Sequence, residues 1–276
     1  MLVNMEKRRM YLKNKAVAYI DQGENSSEPV LLLHGVPESS LLWKEIIPVI
    51  VSSGFRAIAP DLPGFGQSER FDEPCTWERY LQFVTEFTES LKIGKFHLVV
   101  HDWGGLIGLK WACEHPERIL SLIVSDSTLS PEYRWHPIAR KWRKPGEGEE
   151  VMEKYADRER WMAAMKREIP SADEEILNDF YRVLQTHQNR QVILDLYRSA
   201  NHKLVENHEK LSQLKVPVTI LWGENDPYIH SDFAYKLREY SFHHAEVHVI
   251  PDAGHFIHVE VPEKVKALVA KHFASL

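Results

Sequence analysis

The sequence predicts an α/β fold with a mostly parallel sheet, on three observations. Short apolar runs alternate with longer amphipathic stretches, as parallel strands joined by crossover helices require. The 276 residues are 43% apolar and 27% charged, which supplies one large core and argues against disorder. One long interval in the second half has no strand-like run, so a helical insertion into a single core is expected.

In chain order, Ala16 to Ile20, Val30 to Leu33 and Arg56 to Pro60 read as strands, and Thr76 to Leu91 carries helical spacing. His97 to Val100 is a further strand, followed by the helix-like run Leu106 to Ala112, and Leu120 to Ser125 is the next strand. From about Ser130 to Leu214, charged helical segments such as Glu149 to Lys166 and Glu174 to Leu184 take over. Within that interval Lys144-Pro145-Gly146-Glu147-Gly148 breaks two helices. Val218 to Trp222 and Glu246 to Ile250 return to strand, and Pro262 to Phe273 is the last helix. The expected organisation is a core of residues 1–129 and 215–276 carrying a helical cap of residues 130–214.

Composition narrows the partners. A net charge of −6 gives no general basic face for nucleic acid or anionic lipid. Met1 to Arg9 lacks the apolar core of a signal peptide, and no apolar run reaches the roughly 18 residues of a membrane span. Cys75 and Cys113 stand in unrelated contexts, so neither a disulfide framework nor a paired-cysteine metal site is expected. The fifteen histidines are scattered, and His243-His244 and His255/His258 lack a set of further ligands, so no metal is expected. A cytoplasmic protein acting on a small molecule is the expectation; oligomeric state has no signature in the sequence.

The chemistry gathers at three turns. His101-Asp102-Trp103-Gly104-Gly105 lies between an apolar strand and a helix, which puts a carboxylate on a sharp strand-to-helix turn. An isolated Asp there reads as a helix cap. As a nucleophile, however, a carboxylate needs no deprotonation at neutral pH and can displace a leaving group from saturated carbon, leaving an alkyl ester. Trp222-Gly223-Glu224-Asn225-Asp226-Pro227 offers an acid at a turn that alone would be an Asx-turn. Ala253-Gly254-His255-Phe256 places an imidazole between the final strand and the final helix. The order Asp102, Asp226, His255 is that of nucleophile, acid and base in one hydrolase arrangement.

Together with His34-Gly35-Val36-Pro37 and Asp61 to Ser68, these motifs resemble the aspartate-nucleophile branch of the α/β-hydrolase superfamily, whose main members are haloalkane dehalogenases and epoxide hydrolases. The resemblance covers roughly Val30 to Asp126 and Val216 to Leu276, and is loose in the cap. It implies that Asp102 attacks an electrophilic carbon, that His255 activates water against the resulting ester, and that Asp226 orients the imidazole. It further implies an oxyanion site made by the backbone N–H groups of Val36 and Trp103, and no cofactor. Asp126, after the strand Leu120 to Ser125, is a rival for the acid, because some dehalogenases place theirs there.

The expected partners are a small apolar electrophile and water, in a pocket lined by His34, Pro37, Trp135, Trp142 and Tyr197. A halide needs N–H donors, for which Trp103, Trp135, Trp142 and Trp161 are available. Many dehalogenases carry an Asn donor at the position of Val36. Epoxide opening needs acids instead, supplied in the family by two cap tyrosines. Tyr197 resembles one; the other falls near Ile138 or Ala139, and Tyr133, Tyr155 and Tyr181 are substitutes. The resemblance points first to carbon–halogen cleavage, with epoxide hydrolysis as the alternative and a non-catalytic ligand-binding protein as a reading of another class.

Overall fold

The structure is a computed structural model that describes residues 5–72 and 74–276; residues 1–4 of the expected core lie outside the described residues. Eight strands form one sheet: β1 (Arg8–Leu12), β2 (Lys15–Gln22), β3 (Pro29–Leu33), β4 (Arg56–Pro60), β5 (Phe96–His101), β6 (Ile119–Ser125), β7 (Val218–Gly223) and β8 (Glu246–Ile250). Their spatial order is β1-β2-β4-β3-β5-β6-β7-β8. Only β1 and β2 run antiparallel to their neighbours; β4, β3, β5, β6, β7 and β8 pair in parallel. The predicted α/β class is thus the observed one.

The sequence did not signal β1. Its residues RRMYL alternate exposed and half-buried side chains at the sheet edge, so no apolar run marks it. It is held by a hairpin whose two turn residues, Lys13 and Asn14, have φ of 47° and 66°, the left-handed pair that a tight hairpin turn needs. By contrast β5 and β7 are buried along their whole lengths. Helices cover both faces of the sheet, which is why these strands read as continuous apolar runs.

The helices, in chain order, are α1 (Ile47–Ser52), α2 (Trp77–Ser90), α3 (Asp102–Glu114), α4 (Pro137–Trp142), α5 (Glu147–Tyr155), α6 (Arg158–Glu168), α7 (Glu174–Tyr181), α8 (His187–Ser199), α9 (His202–Val205), α10 (Asp232–Tyr240), α11 (Ile257–Glu260) and α12 (Pro262–Ala274). Among the described residues, none is long and apolar enough to cross a membrane. The stretch expected as one helix from Glu149 to Lys166 is two. Asp157 ends the run and caps α6 by accepting from the Arg160 N–H at 3.0 Å, the preference of Asp for N-cap positions overriding the continuous amphipathic pattern.

Between β6 and β7 the described chain forms only helices and turns, α4 to α9. This layer is tied to the sheet side through α7: Asp179 accepts from Ser39 and lies 3.8 Å from Lys7 Nζ, and the same ammonium is 2.9 Å from buried Asp61. From β3 the chain turns to β4 on one side, and from β5 to β6 on the other. The reversal opens a crevice at the carboxyl ends of β3 and β5, the place where open parallel sheets bind ligands.

Candidate active site

Asp102 stands in that crevice at the junction of β5 and α3, with φ of 48°. A non-glycine residue there costs about 1–3 kcal/mol and persists only when its surroundings fix it. Here the surroundings are tight. The first turn of α3 is pressed so close to β3 that a Cβ on Gly104 would overlap the Leu33 carbonyl, and a Cβ on Gly35 would stand 2.7 Å from Asp102 Cγ. The loop after β3 can therefore bring the Val36 N–H to Asp102 Oδ1 at 2.8 Å.

That loop is held from behind. Glu38, fully buried, accepts from the Gly35 N–H at 2.6 Å, and its other oxygen is 3.1 Å from His101 Nε2. His34 donates from Nδ1 to the Gly35 carbonyl at 2.8 Å and accepts from the Leu62 N–H through Nε2 at 2.9 Å. Both ring nitrogens being used inside the protein, His34 supports the loop and does not line the substrate cavity, a correction to its expected place.

The turns after β7 and β8 bring Asp226 and His255 to Asp102. His255 Nδ1 is 2.8 Å from Asp226 Oδ2, and Nε2 is 3.5 Å from Asp102 Oδ2. Asp226 Oδ1 accepts from the Tyr228 and Ile229 N–H groups at 2.7 and 3.0 Å, which fixes the carboxylate. Burial disfavours the imidazolium, yet the Asp226 and Asp102 carboxylates outweigh it and hold His255 well above the ordinary histidine range. Burial likewise opposes ionisation of Asp102, but contact with His255 leaves its carboxyl below the ordinary value.

Asp126 sits on the other side of this group, with φ of 44°. It accepts from the Gly223 N–H at 2.7 Å, while its Oδ2 is buried without a hydrogen bond. Burial, with Asp226 nearby, pushes its carboxyl well above the ordinary range. Burial thus favours the protonated form of Asp126, and Asp226 is the acid that meets the imidazole. Asp126, Asp226 and His255 could each offer a ligand atom to a cation within 4.8 Å of one another; Asp226 and His255 spend the facing atoms on each other.

A cavity of about 120 Å³ opens over Asp102 and His255, walled by Val36 and Pro37 and, from the helical layer, by Trp142, Trp161, Tyr155 and Tyr197. Its wall also includes Ile138, so the position where the resemblance puts a second epoxide-opening tyrosine is aliphatic. Trp135 lies outside it, a second correction: its ring stacks on Trp103 at 5.6 Å and 17° and borders a separate cavity with Tyr133. Trp103 is not on the wall either; its indole meets the Tyr197 ring edge-on at 5.1 Å. The indole N–H groups of Trp103 and Trp142 are both buried with no well-aligned hydrogen bond. Tyr181 points elsewhere, donating to the Ala156 carbonyl at 2.6 Å.

Three polar residues on the cavity wall were missed by sequence reasoning: His136, Glu168 and Tyr228, the last donating its hydroxyl to Glu168. Tyr228 could have been suspected from its place two residues after Asp226. His136 and Glu168 have no local signal, since they meet only when separate helices fold over one crevice.

The site thus combines a strained carboxylate, an imidazole–carboxylate pair, one backbone N–H on the carboxylate and a largely apolar cavity whose wall includes Trp142, with its unsatisfied indole N–H. That set can form and hydrolyse an ester on Asp102. The sequence pattern of the alpha/beta hydrolase fold matches residues 28–262. A haloalkane dehalogenase of Psychrobacter cryohalolentis is 36% identical over 135 residues, 46% of this chain and 43% of that protein. One of Mycobacterium marinum is 40% identical over 113 residues, 40% and 38% of the two chains. The matched part spans less than half the length of these curated relatives. Among solved structures, the haloalkane dehalogenase DbeA of Bradyrhizobium elkani superposes with a TM-score of 0.83 at 23% identity, over 98% of each chain. A 2-hydroxy-6-oxo-6-phenylhexa-2,4-dienoate hydrolase of Rhodococcus does so with 0.80 at 24% identity, also over 98% of each. These two likenesses carry the fold.

Proposed function

The chain belongs to the alpha/beta hydrolase fold family, and within it we propose a hydrolase that cleaves a carbon–halogen bond through an alkyl ester on Asp102. The observation that carries this reading is the division of labour at the Asp102 carboxylate on the cavity wall: Oδ1 is held by the Val36 N–H, and Oδ2 faces His255. Oδ2 attacks the carbon, the carbon–halogen bond breaks, and its electron pair leaves with the halide. His255 Nε2 then takes a proton from water as the water oxygen attacks the ester carbonyl carbon. Negative charge collects on Oδ1, where the Val36 N–H already points. Collapse expels the alcohol oxygen, which recovers the proton from His255; the halide and one further proton leave. Asp226 orients the imidazole and stabilises its charged form.

Residues 130–214 act in this reading as a cap whose Trp142 and Tyr197 close the cavity over the substrate. Its modest volume fits a short haloalkane and water. Cys75 and Cys113 are free and buried, in keeping with work in the cytoplasm. The two dehalogenase relatives support the halide over the epoxide, as does the aliphatic Ile138. Tyr155 and Tyr197 on the cavity wall favour the epoxide as the second reading. The test is bromide release from a panel of bromoalkanes by the intact protein and by Asp102→Ala. Release by the intact protein alone supports the proposal. No release, with diol formed from epoxides, moves the reaction to the second reading, and binding without any product moves the protein out of catalysis.

A further inference from the structure

His136 enters the cavity from the N-terminus of α4 and has no part in the steps above. Its Nδ1 accepts the Ala139 backbone N–H at 3.3 Å and caps the helix. A nitrogen that accepts carries no proton, so the neutral ring bears its hydrogen on Nε2. Among the described residues Nε2 has no protein partner, and the ring lies on the wall of the cavity that holds Asp102 and His255. Three rings surround it: Tyr228 edge-on at 4.9 Å, itself 5.0 Å from His255, Trp142 at 6.0 Å and 87°, and Tyr197 at 6.3 Å and 90°. Trp142 carries a buried indole N–H with no hydrogen-bond partner. Two donors from one wall, with ring centres 6.0 Å apart, can converge on a single anion between them.

Position 36, which could have supplied a side-chain donor from below, is valine. A leaving halide, once detached, needs hydrogen bonds to replace those of water. From this geometry we propose that His136, through Nε2–H, is the second leaving-group donor and acts with Trp142 Nε1–H to bind the departing halide. Burial pushes the imidazole down to about 4, so it serves as a neutral donor, and the proton stays on the ring throughout. The proposal rests on the carbon–halogen reading of the same site.

The experiment measures bromide affinity by quenching of tryptophan fluorescence in the intact chain and three variants, alongside bromide release from 1-bromobutane. His136→Phe keeps the ring and removes the donor; bromide binding should weaken about tenfold or more, the effect of losing a hydrogen bond to an anion, with kcat/KM falling in step. His136→Gln restores an N–H at similar reach and should recover most of both. His136→Asn keeps the helix cap with a shorter donor and should resemble His136→Phe, which separates the donor's role from folding of α4. Unchanged bromide affinity in folded His136→Phe or His136→Asn overturns the assignment. Bromide binding that depends on His136 in a wild type that releases no halide would instead overturn the reaction while leaving the anion site.

Discussion

The Val36 N–H donates to Asp102 Oδ1 at 2.8 Å, while Oδ2 of the same carboxylate is 3.5 Å from His255 Nε2. The two oxygens are thereby assigned different tasks before any substrate arrives. In a single turnover in ¹⁸O-labelled water, the label should enter the Asp102 carboxylate and the alcohol should carry an unlabelled oxygen from the protein. Peptide mass spectrometry reads the outcome, and label in the alcohol alone would mean that water attacks the substrate directly.

The two buried acids beside His255 should respond in opposite ways. Asp226→Asn removes the charge that orients the imidazole and should lower kcat about a thousandfold or more. Asp126→Asn replaces a carboxyl that burial pushes towards its neutral form and that makes no hydrogen bond to His255, so kcat should stay near wild type. An acid whose folded pKa is raised binds a proton on folding at neutral pH and weakens stability there. Asp126→Asn should therefore raise Tm at pH 7, and the gain should vanish towards about pH 4, where the unfolded carboxyl is protonated too. A large loss of kcat in Asp126→Asn with little in Asp226→Asn would exchange their roles.

The pH profile should separate the two halves of the reaction. His255 is held above the ordinary range by two carboxylates, and esterification of Asp102 removes one of those charges, so its pKa must fall in the intermediate. Ester hydrolysis still needs the neutral imidazole, whereas alkylation needs only ionised Asp102, whose pKa is depressed. As the pH falls through the titration of His255 in the intermediate, the rapid release of bromide should approach one per protein while steady turnover fades. Burst and turnover declining together over one pH range would contradict this.

Trp142 offers a case where stability and activity should part. Its indole N–H is buried without a hydrogen bond, an arrangement that costs stability in the free protein. Trp142→Phe should leave Tm unchanged or slightly higher while weakening bromide binding and kcat/KM by about tenfold. Thermal melts with halide titration check both; a large fall in Tm would show that the ring's packing outweighs its N–H.

The fold was legible in the sequence wherever a segment is buried on both faces, as in Val30 to Leu33 or His97 to Val100, because burial writes a continuous apolar run. The hairpin strand Arg8–Leu12 was not, since an edge strand needs no such run. Asp102, Asp226 and His255 each follow one of those runs, so their turns could be located without coordinates. The cavity wall is different. His34 and Trp135 were expected there, yet one is consumed by its loop and the other stacks on Trp103. His136 and Glu168 arrive from α4 and α6, whose relative placement depends on tertiary packing.

The most direct measurement is the intact mass of His255→Gln after incubation with 1-bromobutane. With the nucleophile present and the base removed, one equivalent of bromide should be released and the protein should gain the mass of one butyl group, mapped by peptide analysis to Asp102. Bromide released without any stable mass gain, or a gain on another residue, would contradict a reaction that runs through an ester on Asp102.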